Sequence, residues 1–284
     1  MEPGSILGAA AILGGLGFTF GTLIAIANRK LYVWEDPRID ALSDILPGVN
    51  CGACGFAGCR AFAEATIGGE AVPAGCTVIG EPEREEVADL LGVDVGEAVV
   101  RTARLLCAGG SDVAPFRADY RGIESCAAAV AVSGGGKACA WGCVGLADCA
   151  VACTFDAIRM SDTDLPLVDP DRCTACGDCV DACPLDLFVL LPRDAPLIVQ
   201  CRSLLEGEDA TDVCAVACNA CGRCAMDAAP GLIEMRDGLA VVDYDQIALA
   251  DPGAVARCPT GAIRWVEGAQ TFEASLALAG SETG

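Results

Sequence analysis

The sequence contains no histidine, and this absence removes several classes of function. Without imidazole the chain cannot build a Ser-His-Asp triad, a His-ligated haem, a Rieske centre or a His-ligated zinc site. Aromatic residues make up only 5% of the 284 residues, so aromatic packing contributes little to any core. Basic residues are also scarce: 18 Lys and Arg stand against 40 Asp and Glu, and the net charge of −22 makes nucleic acid a poor partner.

Cysteine, in contrast, is abundant: the chain has twenty, and most lie in bursts separated by two or three residues. Disulfide frameworks of secreted proteins usually disperse their cysteines more widely. Closely spaced cysteines let neighbouring loop residues converge on one metal centre. The pattern therefore favours reduced thiols that bind metal over a disulfide-stapled secreted protein.

Residues 5–27 form an uncharged, apolar segment near the amino terminus. As a helix rising ~1.5 Å per residue it would span ~34 Å, enough for a hydrocarbon core of ~30 Å. A buried helix and a cleaved signal peptide are the alternatives, but no Lys or Arg precedes the segment, and the run is long for a signal core. Arg29 and Lys30 follow it, so the positive-inside rule places the remaining chain in the cytoplasm. We predict a single-pass anchor of the inner (plasma) membrane over residues 1–30, with residues 5–27 in the lipid bilayer.

The first cysteine group begins after Gly48-Val-Asn and consists of Cys51, Cys54, Cys59 and Cys76. Glycines between these cysteines let the backbone wrap around a bulky centre. Four thiolates without imidazole suit a [4Fe–4S] cluster or an all-cysteine zinc site, but a zinc site usually has two CxxC pairs and this group has one. We predict an iron–sulfur domain over residues 31–100, with helices over residues 60–66 and 81–91.

The strongest motif is the bacterial ferredoxin pattern C-x2-C-x2-C-x3-C-P, formed by Cys173, Cys176, Cys179 and Cys183 before Pro184. In two-cluster ferredoxins the fourth cysteine of one run binds the cluster of the other run. An expanded partner run precedes the motif, with Cys139, Cys143, Cys149 and Cys153. Crossed ligation then predicts two [4Fe–4S] clusters. One would be held by Cys139, Cys143, Cys149 and Cys183, and the other by Cys153, Cys173, Cys176 and Cys179.

A second ferredoxin-like unit lacks half of the expected cysteines. Its first run has Ala229 at the fourth position, before Pro230, and its second run retains only the cysteine before Pro259. Under crossed ligation the four missing positions belong to one and the same cluster. We therefore predict a single cluster here, with residues 247–255 filling the vacated space. Its ligands would be Cys218, Cys221, Cys224 and Cys258.

Four cysteines remain outside these sets, namely Cys107, Cys126, Cys201 and Cys214. Their spacing repeats, because Cys126-x12-Cys139 matches Cys201-x12-Cys214. They are either buried structural thiols, since free cysteine behaves as a small hydrophobe, or the ligands of a fifth cluster between the two units. The sequence thus predicts four [4Fe–4S] clusters and leaves the fifth open.

The arrangement resembles the RnfB family, the iron–sulfur subunit of the Rnf complex, over residues 5–267. The first cysteine group is similar to the family's GxNCGxCGxxxC motif. The stretch Cys139-Ala-Trp-Gly-Cys143-Val-Gly-Leu-Ala-Asp-Cys149 is similar to its CxxGCxGxGxC motif, with Ala147 where the family often has glycine. The resemblance implies a membrane complex that couples electron transfer between ferredoxin and NAD to ion movement. Its implied partners are soluble ferredoxin and the other membrane subunits of the complex.

These patterns together predict an α+β chain with an amino-terminal transmembrane helix and two ferredoxin-like (βαββαβ) modules, the second of them degenerate. The expected boundaries are 1–30 for the anchor, 31–100 for the four-cysteine domain, 101–194 and 195–267 for the modules, and 268–284 for a flexible tail. No nucleotide or flavin motif is present in the sequence, so NAD and flavin would belong to other subunits.

The expected function is that of the electron-transfer subunit of a ferredoxin:NAD oxidoreductase (translocase) complex, with no catalytic residue on this chain. A related system that resets an iron–sulfur transcription factor is one alternative, and a zinc-binding scaffold without a redox role is another. Because ferredoxins are usually acidic as well, docking would need a local basic or apolar patch. The candidates are Arg101, Arg104, Arg117 and Arg121.

Overall fold

The amino terminus forms one long apolar helix. The computed structural model describes residues 3–31 and 36–272, and of residues 3–11 the backbone only. Helix α1 (Pro3–Leu31) contains the predicted segment 5–27. Its part Ile12–Leu31 has a mean hydropathy of 1.3 and no burial against the rest of the chain. Large apolar side chains such as Phe18 and Ile24 are therefore exposed, which is expected of a helix that meets lipid instead of a protein core.

The next part of the chain is a small helical domain. Its helices are α2 (Arg38–Ile45), α3 (Cys59–Ile67) and α4 (Glu81–Leu91), so both helices predicted here are confirmed. Leu42, Phe62 and Val87 come from the three helices and are almost fully buried against one another. Helix α4 ends where Gly92 adopts the left-handed conformation, with φ at 65°, a common way for a helix to terminate.

Two consecutive segments then repeat one order of elements. In the first, strands β1 (Arg101–Leu105) and β4 (Phe188–Pro192) pair antiparallel, and between them lies the hairpin of β2 (Ile158–Met160) and β3 (Pro166–Val168). Short helices α5 (Cys126–Ala131) and α6 (Asp148–Ala152) precede the hairpin. Helix α7 (Asp178–Asp181) follows it.

The second segment has the same pairing. Its outer strands β5 (Leu197–Val199) and β8 (Ile263–Trp265) are antiparallel, and they enclose the hairpin of β6 (Ile233–Arg236) and β7 (Leu239–Val242). Its helices are α8 (Gly207–Val213), α9 (Arg223–Asp227) and α10 (Gly253–Ala256). The hairpin turns at Asp237-Gly238, both with positive φ, which is the geometry that favours Asp-Gly in two-residue hairpins.

A left-handed residue introduces three of the short helices, and each helix has a cysteine as its second residue. These N-terminal residues are Ala147 before α6, Gly177 before α7 and Gly222 before α9, with φ of 66°, 94° and 69°. Glycine adopts this conformation freely, whereas it costs an L-residue such as Ala147 ~1–2 kcal/mol.

We therefore expect Ala147→Gly to stabilise the protein by about 0.5–1 kcal/mol, after allowance for the greater freedom of glycine in the unfolded chain. The matched control is Ala150→Gly inside the same helix, which should destabilise by about 1 kcal/mol. Thermal unfolding followed by circular dichroism under anaerobic conditions measures both. A lower melting temperature for both variants would contradict the assignment of strain to Ala147.

The packed part of the chain extends beyond the predicted boundary at residue 267. The side chain of Gln270 is buried, accepts a hydrogen bond from the Leu105 N–H (3.0 Å) and donates one to the Leu105 carbonyl (2.8 Å). Phe272 is buried in the core of the first module segment. Residues 268–272 therefore dock on β1, because an amide side chain satisfies the backbone groups at that strand's free edge. The remainder of the predicted tail, 273–284, lies outside the described residues.

Arg104 is buried, which corrects its prediction as part of a docking patch. Only 2% of the residue is exposed. Its guanidinium donates hydrogen bonds to the carbonyls of Gly268 (2.8 Å) and Arg193 (3.1 Å). The side chain thus ties β1 to the docked segment and to the end of β4, and it is not available to a partner. Arg101, Arg117 and Arg121 are exposed.

Candidate metal centres

All twenty cysteines are free thiols in the structure. Within the described part of the chain, no three side chains of the metal-binding types converge closely enough to hold a single ion. In a zinc site each sulfur lies ~2.3 Å from the metal, so the sulfurs would have to approach within about 4 Å of one another. The thiols instead surround small cavities, an arrangement that fits a larger inorganic cluster and not a lone zinc ion.

Site A is the cavity of the helical domain, with about 310 Å³ of space. The loop that forms it has positive φ at Gly52 and Gly55, and Asn50 Oδ1 accepts the Cys59 N–H at 2.9 Å. That bond fixes the start of α3 relative to the loop. The four thiols that line the cavity are those predicted, Cys51, Cys54, Cys59 and Cys76.

Site B lies between α6 and α7 in the first module segment, with about 320 Å³ of space. The Ala103 N–H donates to the Cys173 sulfur and the Ala157 N–H to the Cys153 sulfur, both at 3.4 Å. Burial, together with the neighbouring thiolates, raises the pKa of Cys179 to about 12. Cys153 comes from the earlier run, so the crossed grouping is present here: Cys153, Cys173, Cys176 and Cys179 line one cavity.

Site C lies on the other side of α6 and α7. The Asp148 carboxylate accepts the Ser125 hydroxyl (2.9 Å) and the Ala127 N–H (3.0 Å), which fixes the start of α5 beside α6. The pKa of Cys149 is raised to about 12, mainly by burial and in addition by the nearby thiolates of Cys126 and Cys183. Cys143 lies near Cys107 as well as near Cys149, and we assign it here, so the candidate group is Cys126, Cys143, Cys149 and Cys183.

Site D lies between the two module segments, with about 300 Å³ of space. Burial, together with the thiolates of three other cysteines, raises the pKa of Cys214 to about 12. Those three also line the cavity, so the group is Cys107, Cys139, Cys201 and Cys214. The Ser203 N–H donates to the Cys201 sulfur at 3.4 Å.

Sites C and D divide eight cysteines differently from the sequence-based grouping. That grouping placed Cys139 with Cys143, Cys149 and Cys183, and left Cys126 with the undecided four. In the structure Cys139 lines site D and Cys126 lies at site C. Between them the chain makes a turn at residues 134–136, three glycines with φ of 68°, 66° and 81°, and this reversal sends the two cysteines to different sites.

Site E occupies the second module segment, with about 330 Å³ of space. Its four thiols are those predicted, Cys218, Cys221, Cys224 and Cys258. In the same segment, Ala229, Ile247, Ala250 and Val255 belong to one apolar cluster, which also reaches Cys224 and Cys258 of site E. Apolar side chains therefore lie together in the region where a second cysteine group would be expected.

A buried cation lies between sites C and D. Lys137 is 7% exposed, and its ammonium donates to the carbonyls of Gly109 (2.5 Å) and Cys143 (2.6 Å). The nitrogen also lies 5.3 Å from the centre of the Phe116 ring. None of the ion pairs in residues 36–272 includes Lys137. An ammonium buried without a carboxylate is costly unless other negative charge compensates it, and the thiolates of the two sites are the negative groups nearest at hand.

A much larger pocket, with a volume of about 1060 Å³, has no thiol among its described lining residues. Arginines and aspartates line one side of it, and two ion pairs, Arg172 with Asp156 and Arg193 with Asp171, neutralise part of that charge. The chemistry of the molecule is therefore concentrated in the much smaller thiol sites.

The donor sets fit [4Fe–4S] clusters. Four of the sites are small cavities lined by four thiols each, and backbone N–H groups point at several sulfurs, as in known iron–sulfur centres. Residues 46–78 match a family profile described as "Putative Fe-S cluster", and residues 164–185 match the "4Fe-4S binding domain" profile. The fold and its sites thus define an iron–sulfur protein.

Three relatives are similar over most of their length and of this chain. The subunit designated B in the Na(+)-translocating ferredoxin:NAD(+) oxidoreductase complex of Acetobacterium woodii is 39% identical, over 91% of this chain and 78% of its own. Its counterpart in the ion-translocating oxidoreductase complex of Methanosarcina acetivorans is 39% identical, over 91% of this chain and 97% of its own. The counterpart in the proton-translocating ferredoxin:NAD(+) oxidoreductase complex of Clostridium ljungdahlii is 38% identical, over 88% of each. The chain belongs to this family, RnfB, and its amino-terminal apolar helix fits a membrane-anchored subunit.

Proposed function

We propose that this chain is the electron-transfer subunit of an ion-translocating ferredoxin:NAD oxidoreductase complex. Single electrons would pass between soluble ferredoxin and the membrane subunits, and no substrate bond would be made or broken on the chain. The observation that carries the proposal is the line of thiol sites through the molecule, in a chain whose relatives are named for this activity. The two repeated segments are then ferredoxin-like modules, the second with a single cluster.

The sites follow one another in the order A, B, C, D, E. Thr77, beside a ligand of site A, donates its hydroxyl to the carbonyl of Thr174 in the loop of site B at 2.7 Å. Helices α6 and α7 pack together. Cys149 of α6 belongs to site C and Cys153 directly after it to site B, whereas Cys179 of α7 belongs to site B and Cys183 shortly after it to site C. The Cys143 N–H reaches the Cys107 sulfur of site D at 3.5 Å. These contacts support electron transfer from site to site along a single line.

Site E completes the line. The pKa of Cys201 in site D is raised to about 11, mainly by burial. The backbone of Cys218 in site E lowers this pKa and the Cys218 thiolate raises it, so the two cysteines are neighbours. Only three residues separate Cys214 of site D from Cys218 of site E. A [4Fe–4S] cluster held by each thiol set would supply one-electron redox chemistry. The chain's own contribution is to bury the sulfurs, orient N–H donors toward them and keep water away.

The two ends of the line suit different partners. Site A follows α1 in the chain, so we place the membrane subunits near it, and the opposite end is left for soluble ferredoxin. Arg29 and Lys30 after the apolar stretch support a single-pass anchor in the plasma membrane with the thiol sites on the cytoplasmic side. The names of the relatives give no support to the alternative role of resetting a transcription factor.

Anaerobically purified full-length protein should be brown, absorb near 400 nm and bleach with dithionite. It should contain iron and acid-labile sulfide in equal amounts and no stoichiometric zinc. Metal analysis together with the spectrum tests this, with a zinc-loaded preparation as the colourless reference. A colourless protein with zinc at its thiols would contradict the proposed function.

A further inference from the structure

We propose that site D is a fifth [4Fe–4S] centre, bound by Cys107, Cys139, Cys201 and Cys214, and that Cys126 is the fourth ligand of site C. The inference rests on the proposed function, because it assigns clusters to an electron-transfer chain. It exchanges Cys126 and Cys139 relative to the grouping that the cysteine spacing predicts.

The packing of the thiols at site D supports a bound centre there. A cysteine that serves only as a small core hydrophobe fills space against its neighbours, and protein interiors contain few voids. The four thiols of site D are 6–9% exposed and all line one cavity, as the four thiols do at each of sites A, B and E. The same arrangement of four thiols at each site points to the same kind of occupant.

The site D thiols also occupy equivalent positions in the two module segments. Cys107 lies two residues after the end of β1, and Cys201 lies two residues after the end of β5. These are equivalent places in the two module segments, so each segment contributes ligands to one shared site. Cys107 also accepts the Cys143 N–H, and Cys201 lies next to Cys218 of site E. Without a centre at D, sites C and E would have no redox group between them.

Hydrogen bonds to Asp148 hold Cys126 near site C. Asp148 holds the residues on both sides of Cys126, through the Ser125 hydroxyl and the Ala127 N–H. Because Asp148 directly precedes Cys149, this contact places Cys126 beside a ligand of site C. At the other side of site C, the Leu187 N–H donates to the Cys183 sulfur at 3.4 Å. Site C thereby obtains four thiols without Cys139.

Pairs of alanine substitutions in the full-length chain distinguish the two groupings by iron content. The unmodified chain should contain about twenty iron, and Cys214→Ala should lose about four, because each cluster holds four iron. Cys139→Ala with Cys214→Ala should again lose about four, since both ligands serve one centre. Cys139→Ala with Cys149→Ala should lose about eight. The spacing-based grouping would leave Cys139 and Cys149 in one centre, with a loss of about four for that pair.

The reciprocal pairs provide the matched control. Cys126→Ala with Cys149→Ala should lose about four iron, and Cys126→Ala with Cys214→Ala about eight. For any alanine variant that does not accumulate as folded protein, serine at the same position should alter the EPR signal of one centre only. A Cys214→Ala chain with unchanged iron, or a Cys214→Ser chain with every EPR signal unchanged, would overturn the fifth centre. In that case about sixteen iron that bleach with dithionite would still support the proposed function, whereas absence of any iron–sulfur spectrum would overturn the function itself.

Discussion

Replacing Cys183 by alanine is expected to reduce ferredoxin-dependent NAD reduction by the assembled complex to background, while most of the iron stays bound. Cys183 belongs to site C under either grouping of the cysteines, and site C lies in the middle of the line. Its loss should remove about four iron and leave no centre between B and D. Membranes that contain the variant complex provide the activity, and iron analysis of the purified chain provides the cluster content.

Val180→Ala is the control for Cys183→Ala, because Val180 lies on the short helix just before Cys183 and is partly buried without being a ligand. It should cost about 0.5–1.5 kcal/mol of packing and retain full iron and activity. If Cys183→Ala lost its four iron and the complex kept normal activity, site C would lie off the electron route.

Removing the buried charge of Lys137 is expected to lower the reduction potentials of the two centres beside it. A loaded site, with four thiolates around its core, carries a net charge of about −2 and becomes more negative on reduction. The ammonium of Lys137 favours that added electron. A unit charge acting over about 8 Å at an effective dielectric constant of about 20 contributes about 2 kcal/mol, which is on the order of 90 mV for a one-electron couple.

Lys137→Gln is the sharpest form of this test, because its amide can still donate to the carbonyl of Gly109 or Cys143 while the charge is lost. Potentiometric EPR should show two of the centres shifted downward and the others unchanged. Arg117→Gln removes an equal charge from the surface nearby, where salt and water screen it, and should shift no centre measurably. Unchanged potentials in Lys137→Gln with full iron content would contradict the tuning role.

The glycines before Lys137 gain a structural meaning from this arrangement. In the sequence, Gly134-Gly-Gly136 resembles a flexible turn without function. In the structure all three have positive φ, and a Cβ at Gly136 would collide with the carbonyl oxygen of Ala118. The turn both separates Cys126 from Cys139 and directs Lys137 inward, and only residues without a Cβ allow this path.

Local spacing was sufficient for much of the molecule. The thiols of sites A, B and E come from short runs or from a repeated ferredoxin pattern, so their convergence follows from a few residues of loop and helix. The helices over residues 60–66 and 81–91 were predictable for the same reason. The burial of Arg104 could not be predicted, because nothing in the neighbouring sequence indicates that the segment at Gly268, far along the chain, covers it.

The ligands of site D could not be predicted from local spacing. Its four thiols span residues 107–214 and come from both module segments, so no single stretch of sequence contains the pattern of the site. The equal spacing of Cys126 to Cys139 and of Cys201 to Cys214 gave a hint of a repeat. It did not reveal that only one member of the first pair joins the second pair at a shared cavity.

The sequence by itself determined the chemistry of this protein: without histidine and with twenty cysteines in bursts, it specified thiolate-bound clusters, an apolar anchor and an acidic chain. The tertiary structure decided which thiols meet, the order in which the sites follow one another, and the placement of a buried ammonium between two of them. The reason is physical. Residue types and short spacings fix which bonds can form locally. Contacts between distant segments set the distances between residues far apart in the chain, as does the hydrogen bond from the Ala108 N–H, shortly after β1, to the Gln200 carbonyl, directly after β5.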